Sequence, residues 1–572
     1  MNRRRNEPTE PRARSRGAAL LACMILGVLV FGLMMASMTV AQATNRWFRH
    51  LIAETQALAM AEAATELRQK ALLADIANFA DEAVLTEPRT NTIVSGGQPF
   101  TLLSRVGRIG LGGGAATSDF KVSDFDGVVV YVSYFELTGR AIVGTTTAEV
   151  RRTIQVGQTP LFQYGVFYNA DLEILPGPEM TVGGRVHANG NIYLNGGTVL
   201  RLATPYVHCT GEIFREPKFE DAMASGTTLL WNRTTSEFVE MTADNCSADR
   251  LGLSRQSVYY ENFDDDPNLW VQYADATWGG TVMTQAHGIR AVAIPSIQTM
   301  SPGGYYHENA GLVIEYTGSS ISVIQRVNGV PSTITSTLPA GTVTLGTIYD
   351  ARERATLSTI EVDMAKLRDA GVMPANGLVY AYRTDTRTAR PHGISLTNGK
   401  ELGAPLMLVT PDPLYIQGDF NAPDAASSRT KEPALVICDA INVLSNAWDN
   451  TKTSTSLVPA ASPTEINLAI ASGIVPTPDT GGSYSGGLEN FTRLHENWTG
   501  VELKVRGSFM CFHPSVFATS TFPTATFSAP LRNWAFDPDL LGREVEFARE
   551  IIPWAVDVRR MAWQDNAESM LD

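Results

Sequence analysis

Proline is absent between Pro11 and Pro88, and glycine is absent between Gly32 and Gly96. Residues 33–87 therefore lack both helix breakers, which excludes a turn-rich segment there. Charge is also scarce. Asp, Glu, Lys and Arg supply 18% of the 572 residues, below the roughly 25% of soluble domains. Only five cysteines occur, none at C-x-x-C spacing, which argues against zinc or dithiol redox chemistry. No G-x-S-x-G elbow is present either, so the strand-turn-helix nucleophile of that motif is missing.

What is present points to an exported, strand-rich protein. A mass of 62.0 kDa exceeds one small core and implies two or more domains or one elongated repetitive body. Forty-eight Gly and 30 Pro suit strands and turns. The net charge is −14, although residues 1–16 carry six arginines against Glu7 and Glu10, so the body is more acidic still. That balance argues against a nucleic-acid-binding body.

Ala18 to Val40 is an uncharged apolar run of 23 residues, about 35 Å as a helix and enough to cross a bilayer core. The basic arm before it orients the N-terminus toward the cytoplasm and the bulk outward. Ala41-Gln42-Ala43 offers a signal-peptidase site as the competing reading, but the run is longer than a signal-peptide core. Ala, Leu, Glu, Gln and Arg dominate residues 50–85, so the anchor is expected to continue as one helix to Leu85. Leu72, Ile76, Phe79 and Ala83 recur at helical spacing and predict a docking face.

Two stretches of this segment carry a resemblance. RGAAL at 16–20, followed by AEAA at 61–64, resembles the N-terminus of the PilX family of type IV pilus assembly proteins and of K-type pseudopilins. The resemblance implies a helix packed among partner helices in a filament or initiation complex at the inner membrane. It also maps a prepilin cleavage to Gly17, with Ala22 at the fifth position after the cut, where major pilins carry glutamate.

From Phe100 onward, short apolar and polar alternations predict strands, as in GVVVYVSY (127–134) and VELKVR (501–506). In the latter, Val501, Leu503 and Val505 face a core while Glu502, Lys504 and Arg506 face solvent. Gly507 permits close backbone approach. GRVHANGNIYLNGG (184–197), PLYIQGDFN (413–421) and ALVICDAINVLS (434–445) break apolar triplets with Gly or Asn. This is the pattern of stacked parallel rungs, so the expected fold is mainly β with a β-helix-like body, an antiparallel β-sandwich being the alternative.

LFQYGVFYN (161–169), LEILPGP (172–178), NGLVY (376–380), LSNAW (444–448) and GLENFTRLHENW (487–498) resemble large uncharacterised pilus-associated proteins of planctomycete and verrucomicrobial type. The chain is accordingly divided into a basic arm (1–16), a transmembrane helix (17–43), an extended pilin-like helix (44–86) and a β-rich domain with the first rungs (95–215). An inserted lobe (216–375) and a second β-helix-like part with the C-terminal segment (376–572) complete it. The Ser, Thr and Gly run from Thr451 to Ser485 is expected as a surface loop.

Candidate chemistry is sparse. Cys209, Cys246, Cys438 and Cys511 lie in the exported part and permit two disulfides, Cys209 with Cys246 first by nearness in sequence, against four buried free thiols as the alternative. His307-Glu308 and His495-Glu496 begin like a zinc-protease helix, but Gly311 and Thr499 stand where the second histidine is needed, leaving both pairs as expected surface or turn residues. His187 with Asn189 reads as a structural hydrogen bond in a turn. Gly393 to Lys400 has one residue too many for a phosphate loop, and Gly110–Ala115 lacks a following helix. Asp264–Asp266 and Asp124–Gly127 read as solvated acidic turns.

The sequence thus predicts a non-catalytic structural component of a type IV pilus-like or type II secretion-like assembly, with no cofactor or metal. Its partners would be pilin-like or secretion-system membrane proteins and membrane lipid, without nucleic acid. The alternative is a surface polysaccharide-binding protein or carbohydrate-active enzyme.

Overall fold

A computed structural model describes residues 15–110, 120–123, 128–218, 225–242, 245–247, 267–385, 391–452, 459–478, 484–522, 527–541 and 547–567. The basic arm up to residue 14, most of Gly110–Ala115, the loop Asp124–Gly127 and the run Asp264–Asp266 lie outside the described residues. The described chain is mainly β, with several mixed sheets and one long N-terminal helix.

That helix, α1 (Ser15–Ala77), is 63 residues long. It stops short of the Leu85 expected from composition. Phe79 takes φ +63°, a left-handed conformation that ends the helical hydrogen-bond ladder, and the chain restarts in the short helix α2 (Glu82–Thr86) under an Asp81 cap. Of the predicted docking face, Leu72 and Ile76 are buried and Phe79 is partly buried, but Ala83 is exposed because α2 has turned away.

The second half of α1 lies across an antiparallel sheet of β1 (Arg89–Ser95), β2 (Gln98–Ile109), β4 (Val129–Val143) and β5 (Thr146–Pro160), with β3 (Phe120–Ser123) paired to β4. The sheet is completed by a strand from the far end of the chain. Trp554–Ala567 pairs antiparallel with β5 from Trp554↔Pro160 to Ala567↔Ala148. Everything between Pro160 and Trp554 is thus looped out of one helix-and-sheet unit.

The looped-out body is built from stacked parallel strands. Tyr164–Tyr168, Leu172–Ile174 and Met180–Gly183 are followed about twenty residues later by Arg185–Ala188, Ile192–Leu194 and Val199–Ala203, and each pairs in parallel with its counterpart. Val207–Cys209 and Val282–Met283 extend the first stack. The chain then crosses to the opposite end of this sheet. Leu312–Tyr316, Leu378–Arg383, Leu406–Val409, Ala434–Cys438, Thr464–Ile474 and Glu502–Pro514 add successively in parallel until Phe509 meets Val166.

Both faces of these strands are covered, which explains why they read as unbroken apolar runs. Val379 and Ala381 enter the larger core between the sheets, whereas Leu378, Tyr380 and Tyr382 join a second core beneath the helix-and-sheet unit; the sheets are several and mixed, and the expected β-helix is not shown. The same burial corrects the expectation for Thr451–Ser485. Thr464–Ile474, within that run, is an almost wholly buried strand whose Ile466, Leu468 and Ile470 fill the core. At Glu502–Pro514, Leu503 and Val505 are buried and Glu502 is exposed, as the alternation predicts. Gly507 sits against the Leu468 carbonyl where no Cβ fits. Corners use left-handed residues: Asn421, at φ +52°, donates from its amide to the carbonyls of Glu432 (2.7 Å) and Asn467 (2.9 Å).

Candidate assembly interface

α1 presents two different surfaces along one axis. From Leu20 to Ile52 its large apolar side chains are exposed: Leu20 is 66%, Phe31 66% and Ile52 55% accessible. The stretch is apolar enough to cross a membrane, with a mean hydropathy of 2.6 over its most apolar window and none of that window buried in the protein. Thr39 returns its hydroxyl to the Ala36 carbonyl at 2.8 Å, so its polar group is satisfied within the helix. Gly17, Ala18 and Val40, the expected cleavage and anchor positions, all lie on this exposed part, and the helix runs unbroken across Gly17. Among the described residues no atom outside the helix lies within 4 Å of a Cβ placed at Gly27 or Gly32, which leaves both open to close approach by another helix.

From Ala57 the helix is seated. Ala57, Ala61, Ala64, Thr65, Arg68 and Leu72 are buried at helical spacing. Small residues are needed here because Gly139 of β4 comes so close that a Cβ would meet the Ala61 carbonyl and stand 2.7 Å from Thr65 Cγ2. Polar contacts align the helix with the sheet. Arg152 reaches Glu66 at 2.9 Å, Arg89 reaches Asp75 at 2.6 Å, and His50 Nδ1 lies 3.5 Å from Thr146 Oγ1 at the lower rim. The buried Arg68 guanidinium donates to the carbonyls of Leu85 and Glu87, tying α2 back to α1. Burial, followed by the neighbouring charge of Arg89, lowers the pKa of Arg68.

The remaining predicted residues are scattered. Cys209, Cys246, Cys438 and Cys511 are all buried, and Cys209, Cys438 and Cys511 are free thiols, so the Cys209–Cys246 loop closure is not formed. Cys209 Sγ instead lies 3.4 Å from the Gly211 carbonyl. Burial raises the pKa of all three thiols, that of Cys511 to about 12.

His307 and Glu308 sit in a one-turn helix, Nδ1 to Oε1 3.0 Å apart. His495 and Glu496 are not surface residues. Their neighbours Phe491, Leu494 and Trp498 pull the segment into the core, where His495 Nε2 meets Asn442 Oδ1 at 2.9 Å and Glu496 accepts from the Ser445 amide (2.7 Å) and hydroxyl (2.6 Å). The structural bond expected between His187 and Asn189 is present at 3.1 Å, and burial lowers the His187 pKa to about 4.

Gly393 to Lys400 forms a strand and its corner, with Lys400 Nζ held by Asp424 at 2.8 Å. The adjoining surface hollow, about 300 Å³, is lined by Thr397, Asn398, Lys400, Gln417, Gly418, Asp419 and Asn446. Among the described residues no three His, Cys, Asp or Glu side chains cluster as a metal site.

No protein-family profile matches this chain, and no curated protein does. Among solved structures, the competence-associated pilin ComZ from Thermus thermophilus is similar over 90% of this chain and 98% of its own, at 10% identity and a TM-score of 0.27. A score at that level does not establish a shared fold, so the functional reading rests on this chain's own helix and sheets.

The sequence did not reveal that the sheet under α1 borrows its last strand from residues 554–567. The alternation in β5 shows only that one of its faces is covered and carries no signal of the strand that pairs along its edge.

Proposed function

We propose that this chain is a membrane-anchored, non-catalytic structural component of a type IV pilus-like or type II secretion-like assembly. In this reading it is a single-pass protein of the cytoplasmic (inner) membrane, with its N-terminus cytoplasmic and its bulk outside. The exposed half of α1 packs against pilin-like partner helices, and the parallel coils form a β-helix-like head. One observation carries the reading: a single continuous helix is apolar and uncovered over its first half and rigidly seated on a sheet over its second. A helix made only to anchor its own body has no need of so long a rigid extension, whereas one that positions a head relative to neighbouring helices does.

Removal of residues 18–40 is expected to release a folded, soluble body and abolish co-purification of membrane partners. Photo-crosslinkers at the exposed positions Gln56 and Ala59 are expected to capture partner helices in the full chain. A deletion variant that still fractionates with membranes would overturn the anchor, and crosslinking confined to single chains would overturn the assembly role. The polysaccharide-binding alternative draws on the polar hollow around Lys400 and Asn446, but that hollow has no aromatic side chain in its lining on which a sugar ring could stack.

A further inference from the structure

The helix and the sheet beneath it share a vertical scale, and that scale locates part of the body at the membrane. No charged residue occurs from Gly17 to Asn45, and this stretch spans about 43 Å as a helix, close to the roughly 40–45 Å of a bilayer with its headgroups. Arg46 therefore stands at the outer edge, with exposed Trp47 (60%) and Phe48 (50%) beside it, ring to ring at 5.1 Å. Only about one turn further on, His50 touches Thr146 at the start of β5. The β4–β5 hairpin, turning at Gly144, is thus level with the headgroup layer.

The β1–β2 hairpin reaches the same level. Leu102 pairs with Ala141, so Gln98 and the turn at Gly96 and Gly97 extend as far toward the membrane as Gly144, or further. Each hairpin carries an exposed apolar residue one position before the end of its first strand: Val94 is 71% and Ile142 49% accessible. α2 lies at the other end of β2, where Arg108 meets Glu82 at 3.3 Å, roughly 33 Å away along the strand.

We infer that the two hairpin tips, Val94–Pro99 and Ile142–Thr146, form a second membrane contact that rests in the outer phospholipid headgroup layer around α1. This rests on the anchor reading above. The contact makes the body sit upright on the bilayer: a lone helix leaves tilt free, whereas a helix with two tips beside it fixes tilt and rotation.

The test uses the full chain in phospholipid nanodiscs, in a Cys23→Ser background, with one fluorophore on Ser95→Cys, Thr145→Cys, Ala83→Cys or Leu29→Cys. Headgroup-borne paramagnetic lipid is expected to quench the Ser95 and Thr145 labels and spare the Ala83 label, while tail-borne quencher silences the Leu29 label. Equal quenching at Ala83 and at the tips, or none at the tips while Leu29 is quenched, overturns the tip contact alone. An unquenched Leu29 label overturns the anchor reading and the tip contact with it.

Discussion

The ring of Phe79 lies flat on that of Tyr305, centroids 4.2 Å apart and planes 9° from parallel. Phe79 ends α1, and Tyr305 belongs to the strap of residues 284–311 that runs between the two ends of the long parallel sheet. The same strap is held by Ser296, whose amide donates to Asn78 at 2.8 Å, and by the Tyr305 hydroxyl, which donates to the Glu550 carbonyl at 2.9 Å. α1 is therefore joined to the parallel-stranded body by side chains as well as by the covalent chain.

Phe79→Ala and Tyr305→Ala are each expected to destabilise the protein. Their double-mutant cycle is expected to show a coupling of about 0.5–1.5 kcal/mol in denaturant unfolding, the range of stacked aromatic pairs. A coupling near zero would mean that the rings pack independently.

Gly139 carries a sharper expectation. Any Cβ there meets the Ala61 carbonyl and Thr65, so Gly139→Val forces α1 off the sheet at an expected cost of about 1–3 kcal/mol. Gly27→Ala, with open space around it, is expected to leave the unfolding midpoint of the body unchanged. Comparing the two variants by thermal unfolding in the same detergent checks both.

Stability is expected to fall as pH rises from about 5 to about 7. Burial, with Glu489 nearby, raises the Glu173 pKa to about 7, against a Thr477 hydrogen bond and Lys218 that lower it, and with Asp171 adding to the rise. The buried Glu489 carboxyl accepts the Leu175 amide at 3.1 Å, and burial raises its pKa too. A carboxyl that is protonated when folded and ionised when unfolded stabilises the fold at low pH, and the effect is lost as pH passes through the folded value. The loss attributable to Glu173 is on the order of 3 kcal/mol. Glu173→Gln is expected to flatten most of this slope in denaturation midpoints measured at pH 5 and pH 7.5. An unchanged slope would assign it elsewhere.

The thiols offer a direct chemical readout. Cys23 is exposed, whereas Cys209, Cys438 and Cys511 are buried thiols with raised pKa values. In detergent, a lipid-permeant maleimide is expected to reach Cys23 in the native state and these three only after unfolding. Protection of any of the three that persists in denaturant and yields to a reducing agent would restore the disulfide expectation.

Local patterns in the sequence foretold local structure. The uncharged run from Ala18 to Val40 is helix, the alternation at Val501–Arg506 is a half-buried strand, and the Gly and Asn breaks at 184–197 fall between short parallel strands. What escaped was set by distant partners. The end of α1 at Ala77 depends on Phe79 turning toward Tyr305, more than two hundred residues away. His495 reads in the sequence as a surface or turn residue because Thr499 stands where a second histidine would be needed, yet Asn442, Tyr415 and Trp448 enclose it. The strand Trp554–Ala567 alternates too little to announce its place beside β5. Of the candidate interface, the apolar half was plain from composition, but the seated half required Gly139, whose role appears only when the helix lies on it.

Because β5 waits for Trp554–Ala567, the sheet beneath α1 is finished only after everything from Leu161 to Pro553 has been made. Until then β5 offers an unpaired flank, an invitation to wrong pairing that a nascent chain must survive. A molecule truncated anywhere between Leu161 and Pro553 would therefore carry the sheet under α1 with β5 still unpaired, open to wrong pairing and proteolysis.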